Sequence, residues 1–157
     1  MRKDNCIEKG RGDTELQMAW VDFLEAQNHN IAVYLAFNDF VEVDAALKAL
    51  RNYMAKVNRL IVGRNWDNRA SQRIKGFFAV EHVRSNLHFG GSVRIVDKDL
   101  WEASRVMTAA WKDIALKGSS NIGPIRDQLA CHIYNTKELR SENARDNWID
   151  TEVFWTK

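Results

Sequence analysis

Two apolar segments, Ile74–Val83 and Leu87–Val96, flank the three residues Arg84-Ser85-Asn86, a break that leaves room only for a tight reversal. Both segments are rich in β-branched and aromatic residues, so the pair reads as an antiparallel hairpin. Gly90-Gly91 inside the second segment points to a bulge or to a close approach of another backbone. The flanking sequence supplies elements to cover the hairpin. Asp13 or Thr14 caps a helix running to about Gln27, with Leu16, Ala19, Trp20, Phe23 and Leu24 at helical spacing. Ile31–Phe37 is a short apolar strand. A second helix over Val43–Val62 repeats Ala46, Leu47, Leu50, Met54, Val57 and Ile61 every three or four residues and is closed by Gly63.

A third helix starts from Asp97 or Asp99 and runs to Leu116, carrying Leu100, Ala103, Val106, Met107, Ala110, Trp111 and Ile114. Lys117–Asn121 reads as loop, Ile125–Leu139 as a strand-to-helix passage, and Glu152–Trp155 as a closing strand. Strands and helices mixed without regular alternation predict an α+β fold, a mainly antiparallel sheet with helices packed on it. Residues 1–13 read as a polar tail and residues 14–157 as a single domain, a length sufficient to bury a real core.

Composition narrows the classes. One proline and eight glycines leave no long flexible linker, and no run of about 18 apolar residues exists to span a membrane. The first residues, Met-Arg-Lys-Asp-Asn-Cys, lack the apolar stretch of a signal peptide. Cys6 and Cys131 are too few for a disulfide framework and read as free thiols in a reducing cytoplasm. The net charge of +2 selects no partner, but its distribution is uneven. Between Lys48 and Arg84 the only acids are Asp67 and Glu81, against a band of bases that includes Arg59, Arg64, Arg69, Arg73 and Lys75. The band suits either a phosphate-tracking surface or a solvated helix face. Trp66, within it, is a candidate for stacking on a base. Trp20, Trp101 and Trp111 lie on apolar helix faces and read as core.

Chemistry concentrates in two places. Period-two alternation in Phe77–Val83 puts Ala79, Glu81 and Val83 on one face and Phe78, Val80 and His82 on the other. A carboxylate in so apolar a strand must lie at an edge, be ion-paired, or meet a cation, because burying it alone costs several kcal/mol. The hairpin brings His88 alongside Glu81, and the pair could hold a divalent metal. Some forty residues later, Tyr134 and Lys137 sit one helical turn apart, a nucleophile and a cation on one face. The alternative for Tyr134 is a core aromatic with a wet hydroxyl.

This set of motifs resembles the HUH endonucleases, specifically the rolling-circle replication initiators of plasmids and phages. It comprises a hydrophobic-Glu81 strand end, a short turn, Leu87-His-Phe-Gly90 and a later Tyr134-x-x-Lys137. Val57-Asn-Arg-Leu-Ile-Val-Gly63-Arg64 is similar to a helix end that precedes the metal strands in some such proteins. The resemblance covers about residues 31 to 140. It implies a ferredoxin- or RRM-like sandwich that binds Mg²⁺ or Mn²⁺ through a His-hydrophobic-His motif and an upstream acid. On that pattern Glu81 is the acid, His88 the first histidine, Tyr134 the nucleophile and Lys137 its lysine. Gly90 stands where the second histidine belongs, and His132 is the further ligand candidate if its segment is extended. The implied activity is nicking of single-stranded or hairpin DNA through a 5′-phosphotyrosyl link. No helicase motif is present, so unwinding would need a partner. Without the second histidine, a nucleic-acid-binding protein on the same scaffold, or a protein-interaction module, stays open.

Overall fold

The computed structural model describes residues 11–137 and 147–156. Most of the stretch read as a polar tail, with Cys6, and the end of the passage at Leu139 therefore lie outside the described residues. Four helices pack on a five-stranded sheet in which every neighbouring pair is antiparallel, the α+β class expected from the sequence. The elements in chain order are α1 (Arg11–Ala26), β1 (Ile31–Ala36), α2 (Val43–Ile61), β2 (Lys75–Glu81), β3 (His88–Arg94), α3 (Leu100–Ile114), β4 (Ser119–Pro124), α4 (Gln128–Asn135) and β5 (Trp148–Asp150). The strand order is β4-β1-β3-β2-β5. Within it, β1-α2-β2-β3-α3-β4 has the split β-α-β connectivity of ferredoxin-like domains.

The sheet has two covered faces. Ile31, Val33 and Leu35 of β1, Phe78 and Val80 of β2, and Phe89 and Val93 of β3 form the main core with α2 and α3. Those helices contribute Leu50, Tyr53, Met54, Val57, Met107 and Trp111, all fully buried. Asp99 caps α3, its carboxylate accepting from the Glu102 N–H at 2.7 Å. Trp101, expected in the core, is exposed instead. The opposite face carries α1 and α4. Phe23 of α1 meets Phe77 edge-on at 5.1 Å, and the Trp148 ring stacks on Phe77 at 5.9 Å. Gln17 is buried in this layer because its Nε2 donates to Ile133 O and Thr136 Oγ1, tying α1 to α4.

Two strands differ from the sequence reading. β4 falls in the stretch read as loop: Ser-Ser-Asn-Ile-Gly-Pro has little strand propensity, and it pairs only with β1, at the sheet edge where proline is tolerated. The expected closing strand at Glu152–Trp155 is a 3-10 turn over Thr151–Phe154, because the Asp150 carboxylate accepts from the Glu152 N–H and caps it. The paired strand is the preceding Trp148–Asp150.

His29 lies buried under α1, sharing a 2.7 Å hydrogen bond with Ser92 Oγ and stacked on Phe77. Burial, with His132 and Arg94 nearby, lowers its pKa from 6.5 to about 4. Between those values the unfolded chain takes up a proton that the folded chain refuses. Stability is therefore unaffected above about pH 6.5 and falls towards pH 4, at most ~1.4 kcal/mol per pH unit from this group. His29→Gln, which can still hydrogen-bond Ser92, should flatten the fall in urea midpoints between pH 6.5 and 5. An undiminished slope in that variant would assign the acid sensitivity to other groups.

Candidate metal centre and nucleophile

Glu81 closes β2 and His88 opens β3, and the register pairs them directly. The residue between their strands that sets the geometry is His82. Its φ of +53° is the left-handed conformation, uncommon for a side-chain-bearing residue, and the Ser85 N–H donates to its carbonyl to close the turn. The left-handed step ends the strand alternation. Alternation alone assigned His82 to the face opposite Glu81; in the structure its ring stacks on His88 with centroids 4.9 Å apart. One ligand atom from each of Glu81, His82 and His88 lies within 4.8 Å of the other two.

Glu81 is 2% exposed. Its Oε2 lies 2.7 Å from His88 Nε2 and 3.4 Å from Lys137 Nζ. His88 Nδ1 is 3.1 Å from Asn86 O, which can only accept, so Nδ1 carries a proton and Nε2 is the atom aimed at the carboxylate. An imidazole oriented in this way through its other nitrogen could present Nε2 to a metal in place of its hydrogen bond to Glu81. Gly90 follows on the same face. A Cβ there would meet Asn135 Oδ1 at 3.7 Å and Glu81 Oε1 at 3.9 Å, ordinary contacts, and its φ is not positive. Gly91 is the residue that must be glycine: a Cβ would lie 2.1 Å from Phe77 O.

α4 brings the second motif over this end of the sheet. Asp127 caps it by accepting from the Ala130 N–H, and the chain leaves it in a turn in which Lys137 N–H donates to Tyr134 O. Tyr134 is 57% exposed. The Lys137 ammonium lies 4.1 Å from the centre of its ring. Burial pulls the Lys137 pKa down, but the Tyr134 phenol and the Glu81 carboxylate outweigh it, so the group is held above its ordinary value and stays a cation. Tyr34 of β1 also reaches the cluster, 4.9 Å from the His88 ring. Its pKa is raised by partial burial, then by Tyr134 and Glu81. Tyr53, by contrast, is buried in the main core, which pushes its hydroxyl far above the usual range.

Glu81, His88, Tyr134 and Lys137, named from two separate motifs, thus converge on one end of one sheet face. His132 does not join them. Its segment is helical rather than extended, so its ring points away from Tyr134 and is buried with Nε2 3.0 Å from Gln128 Oε1. The sequence reading did not place His82 beside Glu81 and His88, Tyr34 against His88, or Asn135 at the lining. A polar residue at the point where a strand enters its turn was the only available signal for His82.

The basic band lies at the other end of β2. Six steps of strand separate Lys75 from Glu81, about 20 Å. Arg73 and Lys75 ion-pair with Glu152, and Arg69 donates to Val62 O. Trp66 is half-buried edge-on against Trp155, with the Arg73 guanidinium 5.9 Å from its ring, so its ring faces protein. Arg59 and Arg64 are exposed. If the band tracks phosphates, replacing both with Ala should weaken binding to single-stranded DNA and flatten its log–log salt dependence by about 0.7 for each phosphate no longer neutralised. An unchanged slope would make the band a solvated surface.

Among the described residues no helix is long and apolar enough to cross a membrane. Comparison with protein-family models, with curated proteins and with solved structures finds no match.

Proposed function

We propose that this protein nicks single-stranded or hairpin DNA by attack of Tyr134 on a phosphodiester. The observation that carries the reading is the convergence of an exposed tyrosine of α4, and of the lysine in the turn just past it, on a buried carboxylate flanked by two imidazoles. The fit to a divalent cation rests on Glu81: Lys137 and His88 both lie on its Oε2, while its buried Oε1 has no hydrogen-bond partner among the described residues, and His82 and His88 bring ligand atoms beside it. Glu81, His82 and His88 would hold Mg²⁺ or Mn²⁺, whose oxygen and nitrogen preferences match this donor set. When bound, the ion polarises a phosphate oxygen and makes phosphorus a better electrophile.

The chain's own groups do the rest. The Tyr134 phenol oxygen forms a bond to phosphorus as the bond to the 3′ oxygen breaks. The phenol proton passes to solvent and the 3′ oxygen takes one up, leaving a 5′-phosphotyrosyl link and a free 3′-hydroxyl. Lys137, held cationic, stabilises the developing phenolate and phosphate charge. Cleavage of labelled single-stranded oligonucleotides should require Mn²⁺ or Mg²⁺, stop with chelator, and fall at least about a hundredfold in Glu81→Ala and in His88→Ala. DNA binding without cleavage, at any metal concentration, would instead favour a nucleic-acid-binding protein on this scaffold.

A further inference from the structure

Glu81 uses its two oxygens unequally. Oε2 takes both His88 and Lys137, while Oε1, itself buried, takes no donor among the described residues. A buried acceptor without a donor is uncommon enough to need an explanation. Oε1 faces the space that a side chain at position 90 would fill, 3.9 Å from where its Cβ would lie. From the α4 side the same point is 3.7 Å from Asn135 Oδ1. Asn135 is 6% exposed, and its Nδ2 is turned towards Cys131 Sγ at 3.6 Å, which leaves the carbonyl oxygen for that space. α4 is anchored there by the Gln17 bonds to Ile133 O and Thr136 Oγ1. Two oxygens that can only accept therefore border one small space. A cation satisfies both.

We infer that Asn135 Oδ1 is a ligand, directly or through one bound water, of the divalent cation held by Glu81, and that it serves where Gly90 offers no side chain. The inference rests on the metal reading above and adds a residue that the sequence motifs do not contain. It also gives the arrangement a mechanical sense. Asn135 directly follows Tyr134, so a cation bound between Glu81 and Asn135 fastens the nucleophile's helix to the sheet. Position 90 and position 135 are then alternative sources of the same ligand, one from the strand and one from the helix.

The test is Mn²⁺ titration by calorimetry, with thermal melting at zero and saturating Mn²⁺, on the whole chain. Asn135→Ala should weaken Mn²⁺ binding by about tenfold to a hundredfold and shrink the Mn²⁺-induced rise in Tm. Asn135→Asp, a better ligand, should bind Mn²⁺ at least as tightly as the wild type. In a Gly90→His background, where an imidazole can replace the amide, Asn135→Ala should change affinity less than about twofold, well below its effect in the wild-type background. Wild-type Mn²⁺ binding that Asn135→Ala leaves unaltered would overturn this inference and leave the metal reading standing. Absence of Mn²⁺ binding by the wild type would overturn both. If Asn135→Ala does not fold, Asn135→Asp decides. Weaker Mn²⁺ binding in that variant would mean that the amide donates a hydrogen bond to Glu81 and is no ligand.

Discussion

Tyr134→Phe removes the covalent protein–DNA adduct that the wild type is expected to form with single-stranded DNA and Mn²⁺, read as a band that survives denaturing electrophoresis. The loss should be complete, because the proposed reaction bonds the phenol oxygen to phosphorus and phenylalanine has none. Stability should change by less than about 0.5 kcal/mol, since Tyr134 projects from α4 into solvent. Tyr34→Phe is the control: it sits against His88 at the same site, and an adduct that persists in Tyr134→Phe but vanishes in Tyr34→Phe would move the nucleophile to β1. Tyr53 cannot take the role, because it lies in the core between α2 and Trp111. No adduct from the wild type over a wide set of sequences would sink the nicking reading.

The adjacent glycines should respond in opposite ways. Gly91→Ala forces a methyl to within 2.1 Å of Phe77 O and 2.7 Å of Phe78 Cδ1, and the first of these is backbone in the neighbouring strand, which cannot rotate aside. The β2–β3 pairing must open, at an expected cost of about 3 kcal/mol or more. Gly90→Ala meets only ordinary contacts and should lie within about 1 kcal/mol of the wild type. Gly90→His should fold as well, and should tighten Mn²⁺ binding by placing an imidazole beside Glu81. Urea unfolding separates the first pair, and calorimetry reads the third. A stable Gly90→His that binds no Mn²⁺ would count against Glu81 and His88 as a metal site.

Much of the scaffold was legible because burial imposes a period. Ala46, Leu50, Met54 and Val57 of α2, and Ala103, Met107, Ala110 and Trp111 of α3, recur at helical spacing and are buried as that spacing requires. β4 was not legible. An edge strand that covers one flank of α3 needs little hydrophobicity of its own, and Ile122 is its single large apolar residue. α1 was read with its stripe slightly rotated: Ala19 and Phe23 are exposed, while Gln17, a polar residue with two hydrogen-bond partners, faces inward.

The candidate site was legible where it depends on pairing and not where it depends on backbone exceptions. Glu81 opposite His88 follows from hairpin register, and Tyr134 is near Lys137 as their spacing suggests, although α4 ends at Asn135 and it is the turn after it that brings Lys137 back over the ring. His82 escaped because a single left-handed residue inverts the face to which period-two counting assigns it. Asn135 escaped for another reason. Its orientation towards Gly90 is fixed by how α4 docks on the sheet, a long-range fact that local spacing does not carry.

The topology also implies an order of assembly. Among the described strands, β2 and β3 form the only pair joined by a short turn, and the Glu81–His88 hydrogen bond closes over seven residues. Every other pairing, β1 with β3, β1 with β4 and β2 with β5, must be found across at least one intervening helix. Loop closure over so few residues costs little entropy, so the hairpin can form before the rest of the sheet condenses around it. The carboxylate and imidazoles would then meet early on the folding pathway, with α4 arriving late, an order that pulsed amide exchange during refolding would read.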